Sequence, residues 1–184
     1  MTSRDLLQHG ETATAVLSAC ERYRFRLARV WDWKRPRMIF VMLNPSTADA
    51  ATDDPTIRRC RGFAKRENCG GFEVVNLFAW RATDPADLLR ADDPVGDGND
   101  RYIADAMAPS DPPTDPPNGP VVAAWGAHPA ARLRAPAVAT QLCWLVPFHL
   151  HCLGTSKDGS PRHPLMLRAD TPLQPFPVRK GETS

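Results

Sequence analysis

The sequence predicts an α/β protein: a three-layer α/β/α domain on a mostly parallel four-stranded sheet, with an antiparallel strand or hairpin in front. Three observations predict it. Apolar-rich runs at residues 38–43, 72–78, 121–126 and 150–154 read as short strands, several buried on both faces. Segments with helical spacing or helix caps separate them, the alternation of a parallel sheet covered by helices. Each run ends in polar or turn-forming residues, so polar groups gather on the rim where open α/β sheets bind ligands.

The central run leads from Arg37 to Leu43 and then breaks into Asn44-Pro45-Ser46-Thr47. Pro45 has no N–H for a ladder and a fixed φ, so the chain turns at Asn44. Asn44, Ser46, Thr47 and Asp49 then stand at the strand exit, each able to hydrogen-bond. Asn and Ser are also ordinary turn formers.

Composition sets the bounds. The chain has 184 residues, 42% hydrophobic and 24% charged, which suits one soluble domain with its own core. A net charge of +2 does not by itself argue for nucleic acid. No apolar run reaches the roughly 20 residues of a membrane span, and the first ten residues lack a signal-peptide segment. The expectation is a cytoplasmic protein with no membrane partner. Five cysteines at 20, 60, 69, 143 and 152 are an odd count expected to stay as thiols, and their spacing is no zinc or iron–sulfur pattern. No metal and no cofactor are expected.

In chain order, residues 1–21 form an extension with weak helical signals. From Tyr23 to Trp33, aromatic and apolar residues alternate with Arg22, Arg24 and Arg26, as in a half-buried antiparallel strand. Its arginine face suits a solvated edge, or alternatively a phosphate backbone. Asp54 and Pro55 begin a helix whose apolar face is Ile57, Cys60, Phe63 and Ala64, ending near Asn68. The strand at 72–78 carries Asn76, an amide out of place in a buried strand unless hydrogen-bonded; it can read a ligand edge or cap a loop. A short helix follows Thr83 or Asp84, and another spans 99–107. Five of the nineteen prolines fall between Pro112 and Pro120, an irregular surface loop. After the strand at 121–126, one helix begins at His128-Pro129 and a second runs from 136 to 145. The single α/β domain spans 22–173, and 174–184 is a loosely packed tail.

Four blocks carry a resemblance: residues 42–60, 74–85, 121–128 and 153–167. In order and wording they resemble the uncharacterised bacterial and phage family known as domain of unknown function 1643. More distantly they resemble the uracil-DNA glycosylase superfamily, in Leu43-Asn44-Pro45-Ser46, Val75-Asn76-Leu77, Ala124-Trp125-Gly126 and Arg162-His163-Pro164-Leu165. That resemblance implies a glycosylase-like fold. It implies catalytic roles for Asn44, which would position water, and for His163, which would stabilise charge on a departing base. Asn76 would bond a base edge, and Ser46, Thr47, Trp80, Trp125 and Arg162 would complete the substrate pocket. Leu165-Met166-Leu167 falls where glycosylases place an apolar wedge, or else packs as a terminal strand on the core. The chain departs from that pattern in having Leu43 for a glycine and no aspartate at position 44; Asp49, Asp53 and Asp54 stand near.

The implied partner is a nucleobase, nucleotide or DNA. The implied activity is N-glycosidase-like hydrolysis of a base or modified base. Two alternatives stand beside it: a non-catalytic nucleotide or nucleic-acid binding module, and a nucleotide-dependent enzyme using residues 154–159 as a phosphate cradle.

Overall fold

The computed structural model describes residues 2–7 (as backbone), 10–46, 53–108, 118–146 and 150–177. Eight strands form one mixed sheet: β1 (Thr2–Leu7), β2 (Glu11–Leu17), β3 (Arg24–Val30), β4 (Arg37–Met42), β5 (Gly71–Asn76), β6 (Asn118–Ala123), β7 (Leu150–Cys152) and β8 (Gln174–Pro175). Their order is β1-β2-β3-β5-β4-β6-β7-β8. The central four, β5-β4-β6-β7, are parallel, as the apolar runs predict. The remaining pairs are antiparallel.

Three α-helices cross between the parallel strands: α1 (Pro55–Arg66), α2 (Asn99–Met107) and α3 (Pro129–Leu145). Helix α1 buries Ile57, Cys60, Phe63 and Ala64 against Met38, Phe40, Phe72 and Val74 on one sheet face. Helices α2 and α3 bury Ile103, Ala106, Val138 and Leu142 against Ile39, Val41, Val75 and Val121 on the other. The result is three layers. The chain steps from β4 to β5 on one side, then crosses to β6 on the other, so the winding reverses between β4 and β6. Ligands favour the crevice outside the carboxyl ends of strands at such a reversal.

Helix α1 starts as its sequence dictates. Asp54 caps it by accepting from Ile57 N at 2.8 Å, and Pro55 fills the first turn, where no N–H is needed. Asn68 ends it with a left-handed φ of 58°. Asp84 caps a 3₁₀ turn at Pro85–Leu89 rather than an α-helix.

Several expectations are corrected. Residues 2–7 and 11–17 are strands of the same sheet, not a helical extension, so the sheet reaches past the boundary expected at residue 22. Strand β3 is consequently an interior strand, not an edge. A bulge sets Val16 opposite Arg26 and Leu17 opposite Arg24, leaving Phe25 as the extra residue. The alternation read from Tyr23 to Trp33 therefore breaks there. Leu27 packs with the α1 layer, while Phe25 stacks on Tyr102 of α2 at 4.5 Å. The two helices expected at 128–145 are one, with Pro136 on an exposed side. The tail is docked as far as it is described. Gln174–Pro175 pairs with β7, and just ahead of the tail Arg66 holds Ala169 O and Thr171 O. The proline loop at 109–117 lies outside the described residues.

Glu73 sits in the middle of β5 with no exposed side chain. Arg26 of β3 meets it through Nε on Oε1 and through Nη2 on Oε2 at 2.9 Å, and Arg37 of β4 pairs with Oε2 at 3.3 Å. Removing one member leaves buried charge uncompensated, which costs about 3–5 kcal/mol. We expect Glu73→Ala to lose that much in urea unfolding. A loss under about 1 kcal/mol would show that the clamp is replaceable.

Candidate functional site

The carboxyl end of β4 is fixed by its own polar residues. Asn44 donates through Nδ2 to Pro45 O at 3.1 Å and to Ala82 O at 2.9 Å. Ala82 N returns a bond to Pro45 O. The β4 exit is thereby tied to the loop that follows β5. Ser46 Oγ donates to Asp54 Oδ2 at 3.2 Å, so the same carboxylate that caps α1 also faces the β4 exit. Thr47 and Asp49 lie outside the described residues.

Asn76 ends β5, opposite Met42. It shares the parity of Phe72 and Val74 and so faces the α1 layer, 3% exposed. Its main-chain O is used by Asn99 Nδ2 at 3.0 Å. Its side-chain amide is placed at the α1 side of the β5 exit.

His163 follows β7 and caps a 3₁₀ turn at Pro164–Met166, with Nδ1 accepting from Leu165 N at 3.3 Å. An Nδ1 that accepts puts the neutral ring's proton on Nε2, so the ring presents Nε2–H. Burial pulls its pKa below the ordinary imidazole value, and the Asp54 carboxylate pulls part of the way back. Gly126 closes the β6 exit at φ 75°, and a Cβ there would lie 3.6 Å from His163 Cβ. The left-handed φ is what calls for glycine there, since the 3.6 Å separation would be an ordinary contact.

The structure brings Asn44, Ser46, Asn76, Asp54 and His163 to one rim, on the α1 side of the sheet. Trp80 and Trp125 are not brought there. Trp80 packs on the opposite core, edge-on to Tyr23 at 5.4 Å, and lines a shallow depression of 470 Å³ with Arg81 and Asp87. Trp125 is 4% exposed in that same core, edge-to-face with Phe176 at 5.5 Å. Arg162 is exposed on the loop surface, its N–H donating to Gly154 O.

Leu165 and Met166 project from the turn after His163, and Met166 is 84% exposed; only Leu167 joins the core. These residues are therefore not a terminal strand. The loop at 154–160 spends its amides on itself: Ser156 N bonds Ser160 O, Gly159 N bonds Ser156 O, and Ser160 N bonds Asp158. Those three N–H groups do not point outward as a phosphate cradle. All five cysteines are free thiols, and burial raises those of Cys60 and Cys69.

Sequence reasoning set Arg24 on a solvated edge or a phosphate-facing strand and did not single out Arg81. Arg24 is 5% exposed and faces the α1 layer beside Arg81, Arg29 and Asp54; it belongs to no solvated edge. Arg81 approaches from the loop after β5, donating through Nη1 to Glu21 O at 2.9 Å. The bulge in β3 turns Arg24 inward, and no sequence signal marked it.

Polar groups on the carboxyl rim of a three-layer α/β sheet, at its reversal point, define the class: an α/β protein with a candidate ligand site at the strand ends. Residues 24–165 match the family model described as protein of unknown function DUF1643, and the chain belongs to that family. No match was found among curated proteins or among solved structures. No helix among the described residues is long and apolar enough to cross a membrane.

The His163 environment has a measurable sign. An imidazole with a folded pKa below its unfolded value leaves the unfolded chain holding more protons between the two. Stability therefore rises with pH through that window; the contribution is complete above about 6.5 and fades as pH falls toward the folded value. Because Asp54 opposes the shift, Asp54→Asn should move the His163 midpoint further down in an NMR titration. An unchanged or raised midpoint would separate the two groups.

Proposed function

We propose that this rim binds a nucleobase-bearing ligand and hydrolyses its N-glycosidic bond, in the manner of a DNA base-excision enzyme. The observation that carries the reading is Asn76: a buried amide at the end of β5, on the α1 side of the sheet and on the same rim as an imidazole presenting Nε2–H. An amide offers one acceptor and two donors, the pattern that pairs with a base edge. Glycosidic cleavage breaks the N–C1′ bond, and the electron pair leaves with the base. Water oxygen bonds to C1′, and a water proton ends on the base nitrogen. A neutral Nε2–H donor aimed at a base oxygen stabilises the developing anion. Asp54, negative and bonded to Ser46, supports the cationic sugar and the approach of water. The exposed Leu165 and Met166 beside His163 suit contact with unstacked bases at the mouth of the site.

A second reading has its own support: Asn44 spends its amide N–H groups on backbone carbonyls, and no carboxylate occupies that position. A glycosylase-shaped binding module without chemistry would look the same.

The test is base release from single- and double-stranded oligonucleotides carrying uracil or modified pyrimidines. We expect cleavage that falls roughly 100-fold or more in His163→Ala and in Asn76→Ala, the scale for losing one positioned donor. Thermal stabilisation by nucleosides without base release would select the binding module. Neither release nor stabilisation, with folded protein, would overturn both.

A further inference from the structure

Arg24 is unusual among the charged groups of this chain. Its side chain is 5% exposed, its Nε is buried without a hydrogen-bond partner, and no carboxylate forms an ion pair with it among the described residues. The other buried arginines are paired: Arg29 with Asp53 at 3.0 Å, and Arg37 with Glu73. The described charges acting on Arg24 are two cations, Arg81 and Arg29, and one anion, Asp54. Asp54 is already bonded to Ile57 N and Ser46 Oγ. Burial and the neighbouring Arg81 pull the Arg24 pKa down to about 10, which still leaves it cationic at neutral pH.

An isolated buried charge is costly and is normally paired. A guanidinium is also the group best shaped for planar, two-pronged recognition of phosphate or carboxylate oxygens. We propose that Arg24, with Arg81 beside it, is an anion subsite for the phosphate of a nucleotide, either free or within a strand. The inference rests on the nucleobase reading above and deepens it: the ligand carries its phosphate into the rim, on the β3 side of Asn76. Strand β3 pairs directly with β5, so the phosphate and base positions belong to adjacent strands. The β3 bulge at Phe25 lies immediately beside Arg24 and accounts for its inward turn.

The experiment compares inorganic phosphate, uridine, uridine 5′-monophosphate and a ten-nucleotide single strand. Binding to wild-type protein, Arg24→Met and Arg24→Lys is read by calorimetry and thermal shift. We expect the monophosphate or the strand to bind wild-type protein at least about tenfold tighter than uridine, a preference reduced to about one in Arg24→Met and partly kept in Arg24→Lys. The monophosphate binding as tightly as the strand assigns a free nucleotide; binding by the strand alone assigns nucleic acid. Ligand-free Arg24→Met should melt at or above the wild-type temperature, because a buried unpaired charge is gone. If Arg24→Met does not fold, the same preference is read in Arg24→Lys. Equal binding of uridine, its monophosphate and the strand by wild-type protein would overturn the anion subsite while leaving the nucleobase reading intact. Arg24-dependent binding of phosphate, with no gain from an attached base, would keep the subsite and sink the nucleobase reading. A lower melting temperature in Arg24→Met with an unchanged monophosphate preference would assign Arg24 to packing alone.

Discussion

The buried carboxylate of Glu73 is the constraint on which the middle of this sheet depends. Arg26 and Arg37 reach it from the strands on either side, so one acid ties β3, β5 and β4 together. A strand slipped by one residue would send Glu73 to the opposite core and strand all three charges in apolar surroundings. The clamp therefore selects one register among the many that apolar strands of similar composition allow. That register sets Asn76 opposite Met42 and puts the exits of β4 and β5 at the same height. The backbone then continues the pairing beyond the strands, with Leu77 N on Met42 O and Phe78 N on Leu43 O. A site made of residues just past two strand ends needs that alignment.

The parallel half of the fold was legible because its signals are local. Asp54-Pro55 announces a helix start, the 3.6-residue spacing of Ile57, Cys60 and Phe63 announces its buried face, and Pro45 announces the end of β4. Asn76 stood out as an amide ending an apolar strand, whereas His163 lies in the loop after β7 and was singled out through the glycosylase resemblance. Of the antiparallel half, β3 was legible from its alternation and the strands outside it were not. Strand β1 has few strong β formers, and β2 sets Thr12, Thr14 and Val16 between the alanines at 13 and 15 with no long apolar run; β2 pairs on the ladder that β3 offers, and β1 on β2. The inward turn of Arg24 depends on one extra residue opposite Val16 and Leu17, a tertiary fact with no mark in the sequence of β3. Trp80 and Trp125 show the reverse error. Aromatic residues at a strand exit look like pocket walls, yet here they bury area on the α2–α3 side, where a core of small alanines leaves room for them.

The same small device occurs twice at the rim. His128 before α3 and His163 before its 3₁₀ turn each accept a backbone N–H two residues on, through Nδ1, and each is followed by proline. Capping in this way needs a neutral ring, because a protonated Nδ1 cannot accept. For His163 the local structure and the burial push in the same direction, toward an imidazole that donates from Nε2. The ring's orientation is thus a by-product of ending a loop and beginning a turn.

The choice of asparagine at position 44 follows from its neighbours. Its Nδ2 bridges two carbonyl oxygens, Pro45 O and Ala82 O. An aspartate there would set a carboxylate against both carbonyls, with no donor to hold the loop after β5. The position is therefore closed to a carboxylate for structural reasons, and any negative charge at the rim must come from elsewhere. Among the described residues, Asp54 supplies it from across the β4 exit. It is fixed on one oxygen by Ile57 N and on the other by the Ser46 hydroxyl. Fixed in this way it cannot swing to meet a substrate, so its influence is that of a stationary charge. Its field acts on His163 on one side and on Arg24 on the other. In the proposed chemistry that suits stabilisation of a sugar cation better than delivery of a proton. Under that proposal the rim would separate its tasks by position: donors toward the base, a fixed anion toward the sugar, and a buried guanidinium toward the phosphate.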